Sequence, residues 1–129
     1  MTVSNLFTAI KPSILIVDDD LAILRCFSRI FERKGYSVTV AERGREALEK
    51  LSVNHYDVAL IDLCLPDMEG AELFPVIQSK SPNTLKVMLT GKTCSPSSTG
   101  ADVFLGKPIA PDKLLSIIDI KLKLKEIET

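Results

Sequence analysis

Ser13-Ile-Leu-Ile-Val17, running directly into Asp18-Asp19-Asp20, is the stretch whose reading decides the fold. An unbroken apolar, β-branched run leaves no polar side for water, so it suits a central strand of a parallel sheet covered on both faces. Beyond the acidic turn, Ile23, Leu24, Phe27, Ile30 and Phe31 recur at the spacing of an amphipathic helix, and Gly35 supplies a stop. The opening unit therefore reads strand, acidic turn, helix.

The same alternation continues along the chain. Tyr36 to Ala41 favours a strand, Glu46 to Leu51 a helix, and Tyr56 to Ile61 a second buried strand that ends at Asp62. After a turn marked by Pro66 and Gly70, Ala71 to Lys80 reads as a helix that Pro75 is expected to kink. Leu85 to Leu89 and Asp102 to Leu105 complete five strands, and Pro111 opens a last helix reaching about Ile127. Strands alternating with helices call for a parallel sheet with right-handed crossovers and helices on both faces.

Composition narrows the function. The chain has 129 residues with Lys+Arg 16 against Asp+Glu 17, a net charge of -1, so nothing draws it generally to nucleic acid or an acidic membrane. Its apolar runs fall far short of the ~20 residues that cross a bilayer. Residues 1–12 lack the pattern of a signal peptide and read as a short leader before a domain over 13–127. Three widely spaced cysteines, Cys26, Cys64 and Cys94, argue for reduced thiols in a cytoplasm.

Ligands of open parallel sheets bind outside the carboxyl ends of the strands. Asp18, Asp19, Asp62, Thr90 and Lys107 all fall at or just past those ends. Taken alone, Asp18 and Asp19 could merely cap the helix that follows, and Asp62 could cap a turn. Together, three carboxylates repel unless a cation compensates, and Mg²⁺ is the natural one, binding carboxylates while keeping positions for water and a phosphate oxygen. Lys107 and Thr90 add an ammonium and a hydroxyl for an anion beside the metal. The sum has the parts of a phosphoryl-transfer site with a carboxylate nucleophile.

At this point the chain resembles the receiver domains of two-component response regulators. Ile14-Leu-Ile-Val-Asp18-Asp19 is similar to the family's first strand and acidic pair, and Asp57 to Gly70 to its phosphoacceptor segment. Met88-Leu-Thr90-Gly91 and Phe104-Leu-Gly-Lys107-Pro108 match the remaining motifs. The resemblance implies a flavodoxin-like doubly wound five-stranded sheet of order 2-1-3-4-5. It also implies that Asp62 accepts a phosphoryl group from a histidine kinase or histidine phosphotransfer protein, in a Mg²⁺-dependent reaction the domain catalyses on itself without being a conventional enzyme. Asp19, Asp62 and the Cys64 backbone carbonyl would ligate the metal, with Asp18 acting through a water. Thr90 and Lys107 would bind the phosphoryl group, Gly91 would leave it room, and Phe104 would be the switch aromatic, unless it is an ordinary core residue. Cys64 and Lys92 occupy the positions that tune acyl-phosphate lifetime; neither can orient attacking water, so self-dephosphorylation is not expected to be fast.

The chain departs from the family between Thr90 and Lys107, where Lys92-Thr-Cys-Ser-Pro96-Ser-Ser-Thr-Gly100 disfavours helix. Helix 4 of the family is therefore expected to be reduced to a loop, baring a face of the last two strands with Val87, Leu89, Val103 and Leu105 as candidates. The last helix carries two apolar stripes, Leu114, Leu115, Ile118 and Leu122, and Ile117, Ile120, Leu124 and Ile127. One buried side needs only one stripe, so either a homodimer forms through this helix and the bared strands or the helix packs more deeply. Lys121, Lys123 and Lys125 read as solvated.

Three rivals are weaker. A haloacid-dehalogenase-like phosphatase has a similar acid spacing at Asp18 and Asp20, but Ala22 stands where that class wants Thr or Val. A flavodoxin-type carrier would need a glycine- and hydroxyl-rich phosphate loop after the first strand. An interaction module without chemistry would not need all five side-chain types of the cluster.

Overall fold

The computed structural model describes residues 11–91 and 100–128. Five strands, β1 (Ser13–Val17), β2 (Ser37–Ala41), β3 (Val58–Asp62), β4 (Leu85–Thr90) and β5 (Val103–Gly106), form one sheet in the order β2-β1-β3-β4-β5. All four pairings are parallel. The helices are α1 (Leu21–Arg33), α2 (Gly44–Val53), α3 (Leu73–Lys80) and α4 (Pro111–Glu128), with a short 3-10 turn at Gly70–Glu72. Among the described residues no helix lies between β4 and β5, as the Pro- and Ser-rich composition there implies. Most of the leader expected over 1–12, and most of the Lys92 to Gly100 run, fall outside the described residues.

Because strand side chains alternate between faces, the sheet sorts its apolar residues into two cores. Ile14, Ile16, Val58, Leu60, Val87 and Leu89 meet Leu24, Phe27 and Phe31 of α1 and Leu114 and Ile118 of α4. Leu15, Val17, Ala59, Ile61 and Met88 meet Ala47 of α2 and Leu73, Phe74 and Ile77 of α3. Each such large side chain removed from water stabilises the fold by roughly 1.5–3 kcal/mol. Gly35, at φ 97, ends the α1 turn in a conformation that glycine alone takes easily. Across the molecule, the Tyr36 hydroxyl donates to Asp119 Oδ1 at 3.1 Å, tying the start of β2 to α4.

Two expectations need correction. Pro75 does not kink a helix from Ala71, because the segment begins as the 3-10 turn and α3 starts only at Leu73. Proline thus sits in the first helical turn, where its missing N–H has no partner to lose. Second, Val87, Leu89, Val103 and Leu105 do not lie on a bared face. Their side chains point toward α1 and α4, with Val87 and Leu89 buried. The residue left open on the other face is Phe104, 47% exposed. In addition, β4 carries a charge inside: Lys86 is buried, donating to the Thr84 carbonyl at 3.1 Å with Asp102 Oδ2 at 3.6 Å.

The loop after β3 is closed on itself and latched to α2. Gly70 N–H donates to the Leu63 carbonyl at 2.7 Å, and Cys64 bridges Glu69. At its tip, Asp67 accepts from the N–H groups of Gly44 at 2.8 Å and Arg45 at 2.9 Å. These are free amides of a helix start whose preceding residue, Arg43, provides no side-chain cap. The amides of Arg45, then Gly44, hold the Asp67 carboxyl below the usual carboxylate range. A depressed folded-state value means the stabilisation is present above about pH 4 and disappears as pH falls through that depressed value. Asp67→Ala should therefore lower the urea midpoint at neutral pH, with the gap to wild type closing as the titration is repeated at pH below about 4. A gap independent of pH would show that the carboxylate is not the latch.

Candidate functional site

In a parallel sheet the carboxyl ends of neighbouring strands share one edge, and here that edge gathers the polar residues. Asp18 follows β1, Asp62 ends β3, Thr90 ends β4, and Lys107 follows β5. Pairing continues slightly past the strands, with Asp18 N–H donating to Ala41 O at 3.1 Å, Leu63 N–H to Leu89 O at 2.9 Å and Lys107 N–H to Thr90 O at 2.7 Å. Asp62 stands in register with Leu89, and Thr90 with Gly106. The Lys107-Pro108 peptide bond is cis.

One ammonium joins the carboxylates. Lys107 Nζ lies 2.9 Å from Asp18 Oδ2 and 3.1 Å from Asp62 Oδ2. Asp18 and Asp62 are both buried. Burial, then the charge of Asp18, raises the Asp62 carboxyl above its ordinary value, while Lys107 pulls the other way. For Lys107, burial favours the neutral amine, but the hydrogen bond to Asp18 and the charge of Asp62 outweigh it and its pKa is raised. The ammonium therefore stays charged and neutralises part of the negative charge of the cluster.

Asp20, not Asp18 or Asp19, caps α1. Its Oδ1 accepts from Ala22 N–H at 2.9 Å and Ile23 N–H at 3.3 Å, while Asp18 Oδ1 accepts from Asp20 N–H at 2.9 Å. The capping explanation for the acidic turn thus belongs to its third residue, which leaves Asp19 exposed and facing the other two. Ligand oxygens of Asp18, Asp19 and Asp62 lie within 4.8 Å of one another. An all-carboxylate set of this size fits a hard, oxygen-loving divalent cation such as Mg²⁺, and the single ammonium leaves negative charge for it to balance. The cluster thus has the make-up of a Mg²⁺ site.

Other expected residues sort as follows. Cys64 is exposed, its N–H donating to Asp62 Oδ1 at 3.4 Å. Its side chain is disulfide-bonded, whereas Cys26 is free and exposed on α1. The expectation of a reduced thiol is corrected at Cys64. A Cβ at Gly91 would meet nothing within 4 Å. Lys92 and Cys94 lie outside the described residues. Sequence reasoning missed Gly70 as part of the site: a Cβ there would collide with the Asp62 carbonyl oxygen, so only glycine lets the 3-10 turn close against the strand end. Its place in Pro66-Asp-Met-Glu-Gly70, read only as a turn mark, was the available signal.

Comparison with known proteins agrees with this geometry. Residues 14–119 match the response regulator receiver domain. A CheY-like receiver domain protein from Methanospirillum hungatei superposes with a TM-score of 0.85 at 38% identity, covering 93% of this chain and 100% of that one. The chemotaxis response regulator CheY4 of Vibrio cholerae gives 0.77 at 31% identity, covering 85% of this chain and 98% of that one. The transcriptional regulatory protein GlrR of Escherichia coli is 34% identical over 119 residues, which are 88% of this chain but 27% of that protein. Among the described residues no helix is long and apolar enough to cross a membrane.

Removing the ammonium tests the electrostatics directly. Lys107→Met leaves two buried carboxylates uncompensated and should destabilise the metal-free protein by about 1–3 kcal/mol in urea titrations. Millimolar Mg²⁺ should restore more stability to the variant than it adds to wild type, since the cation then meets the full negative charge. Equal Mg²⁺ responses would mean that Lys107 does not neutralise the metal-binding carboxylates.

Proposed function

This chain belongs to the response regulator receiver domain family, a phosphoacceptor family of two-component signalling, and we propose that Asp62 is the residue that carries its phosphoryl group. The supporting observation is the convergence of Asp18, Asp19 and Asp62 at the carboxyl edge of the sheet, with the Lys107 ammonium on Asp18 and Asp62. In this reading an Asp62 oxygen attacks the phosphorus of a phosphohistidine, the P–O bond forming as the P–N bond breaks and imidazole departs. Lys107 keeps Asp62 ionised beforehand and pairs with phosphoryl charge afterwards. The Thr90 hydroxyl binds a phosphoryl oxygen, and Gly91 leaves the entry clear.

Asp19, Asp62 and the Cys64 carbonyl would hold Mg²⁺, with Asp18 acting through a water. Once bound, the cation supplies charge neutralisation at the phosphoryl oxygens. The fixed loop from Leu63 to Gly70 supports this role for the Cys64 carbonyl, since its backbone is held by its own hydrogen bonds. Phe104, exposed on β5, is free to turn inward when Thr90 moves, which supports its assignment as the switch aromatic over a core residue. Cys64 and Lys92 offer no amide or acid to orient attacking water, so the acyl phosphate outlives a few seconds. A small acyl-phosphate donor with Mg²⁺ should add the mass of one phosphoryl group to wild type and none to Asp62→Asn. Labelling that persists in the variant would place the acceptor elsewhere.

The donor is a histidine kinase or histidine phosphotransfer protein, as for receiver domains generally. A second copy of this chain is a further partner in our reading. Supporting it, Ile120 of α4 is 58% exposed, Leu124 is 47% exposed, and Phe104 adds apolar area on β5. Leu114 and Ile118 fill the core, so among the described residues Ile120 and Leu124 are left without apolar cover. Sedimentation at high concentration should show a dimer that Ile120→Glu/Leu124→Glu converts to monomer; monomer alone for wild type refutes it.

A further inference from the structure

β2 is an edge of the sheet, and among the described residues it pairs with β1 alone. Ser37 N–H donates to the Pro12 carbonyl at 2.8 Å, and Asp18 N–H donates to the Ala41 carbonyl at 3.1 Å, so Ser37, Thr39 and Ala41 bond inward to β1. Backbone direction alternates along a strand, and Val38 and Val40 therefore aim their N–H and C=O groups outward, away from β1. Natural edge strands are blunted by charged residues, proline or a bulge. Ser37-Val38-Thr39-Val40-Ala41 has no charge and no proline, and its register with β1 runs unbroken along the strand.

Beside this edge, between α1 and β2, lies a groove of about 530 Å³ whose apolar lining includes Leu21, Leu24 and Val40. Leu21 and Val40 are 48% and 38% exposed. Val38 and Val40 share that face of the sheet, so a strand laid along β2 would set every second side chain toward the groove. Arg25, Arg29 and Arg33 border the groove against Glu32 and Glu42, and Arg43 stands just past the end of β2. Among the described residues none of these four arginines makes an ion pair or a side-chain hydrogen bond. The charge left over is positive, and guanidinium forks pair with carboxylates in two parallel bonds. A phosphate backbone offers acceptors only and would leave the outward carbonyls of Val38 and Val40 unpaired, whereas a peptide backbone matches each donor and each acceptor.

We propose that the free edge of β2 docks an extended acidic segment of a partner protein, which adds a strand antiparallel to β2, lays apolar side chains in the groove beside Leu21 and Val40, and sets carboxylates against Arg33 and Arg43 at its two ends. In an antiparallel pair, residues that face each other lie on the same side of the sheet, and those whose backbone groups point inward exchange both bonds. The apolar residues opposite Val38 and Val40 are therefore also the ones whose amides bond to β2. The intervening residues turn their amides to solvent.

The probe is a fluorescent synthetic peptide of alternating valine and threonine with aspartate at both ends, titrated with the full chain and followed by anisotropy. Methylating the valine amides should weaken binding about tenfold or more, because those amides bond to the edge, while methylating the threonine amides should leave it unchanged. Replacing the terminal aspartates by lysine should also weaken binding about tenfold at low salt, with the difference shrinking as salt rises. Val40→Lys puts a charge on the edge without touching the inward bonds of Ser37, Thr39 and Ala41, and it should abolish binding while the urea midpoint stays near that of wild type. The two methylated peptides alter nothing in the protein, so their contrast holds whatever the variant does to folding. No binding of the unmethylated peptide, or equal binding of the two methylated forms, overturns the added strand. Equal binding of the aspartate and lysine peptides overturns the acidic partner. A dimer in sedimentation that Val40→Lys removes and Ile120→Glu/Leu124→Glu does not, with no peptide bound, assigns the edge to a second copy of this chain and equally overturns the proposal.

Discussion

Two buried carboxylates facing one ammonium form the constraint around which this molecule is arranged. Asp18 and Asp62 come from adjacent parallel strands, and parallel pairing leaves them no choice but to emerge at the same edge. Their repulsion is tolerable because β5, two strands from β3, ends with Lys107 in reach of both. The order of the sheet is thus also an electrostatic order. A cation that enters later competes with an ammonium already in place, so the site holds its geometry without metal and still has charge left to bind it.

The same edge is shaped from behind by the loop that leaves Asp62. Gly70 closes against the Asp62 carbonyl because it has no Cβ, and Asp67 fastens the loop tip to the first amides of α2. A loop free to sample many conformations would lose more entropy when its carbonyl engaged a ligand. Here that entropy is already spent in folding. By contrast, the β5 side carries an aromatic, Phe104, with much of its surface open, and the last helix leaves Ile120 and Leu124 outside the core. The molecule pairs a hydrogen-bonded chemical edge with apolar surface that the described residues leave open.

Reading strands from apolar runs worked best where both faces of the sheet are covered, as at Ile14 to Val17 and Val58 to Ile61, because burial on two sides removes polar alternation. It misjudged β4 and β5, where the choice of face depends on register. Val87 and Leu89 face α1 and α4, and a shift of one residue would have put them on the opposite side. Pro75 was misread for a related reason, since a helix start is set by the 3-10 turn before it and not by composition alone. The Asp67 latch was illegible because its two partners lie on another element, distant along the chain.

The amino-acid sequence by itself determined the alternation of strand and helix, the end of the sheet that bears the chemistry and the residue types gathered there. These follow from local periodicity and from the chain positions of Asp18, Asp62, Thr90 and Lys107. Only the tertiary structure decided which acid caps α1 and which remain for a cation, which apolar face is sealed, and how one ammonium divides itself between two carboxylates. Those outcomes depend on distances between segments far apart in the chain, and such distances are set by packing, which no local pattern encodes.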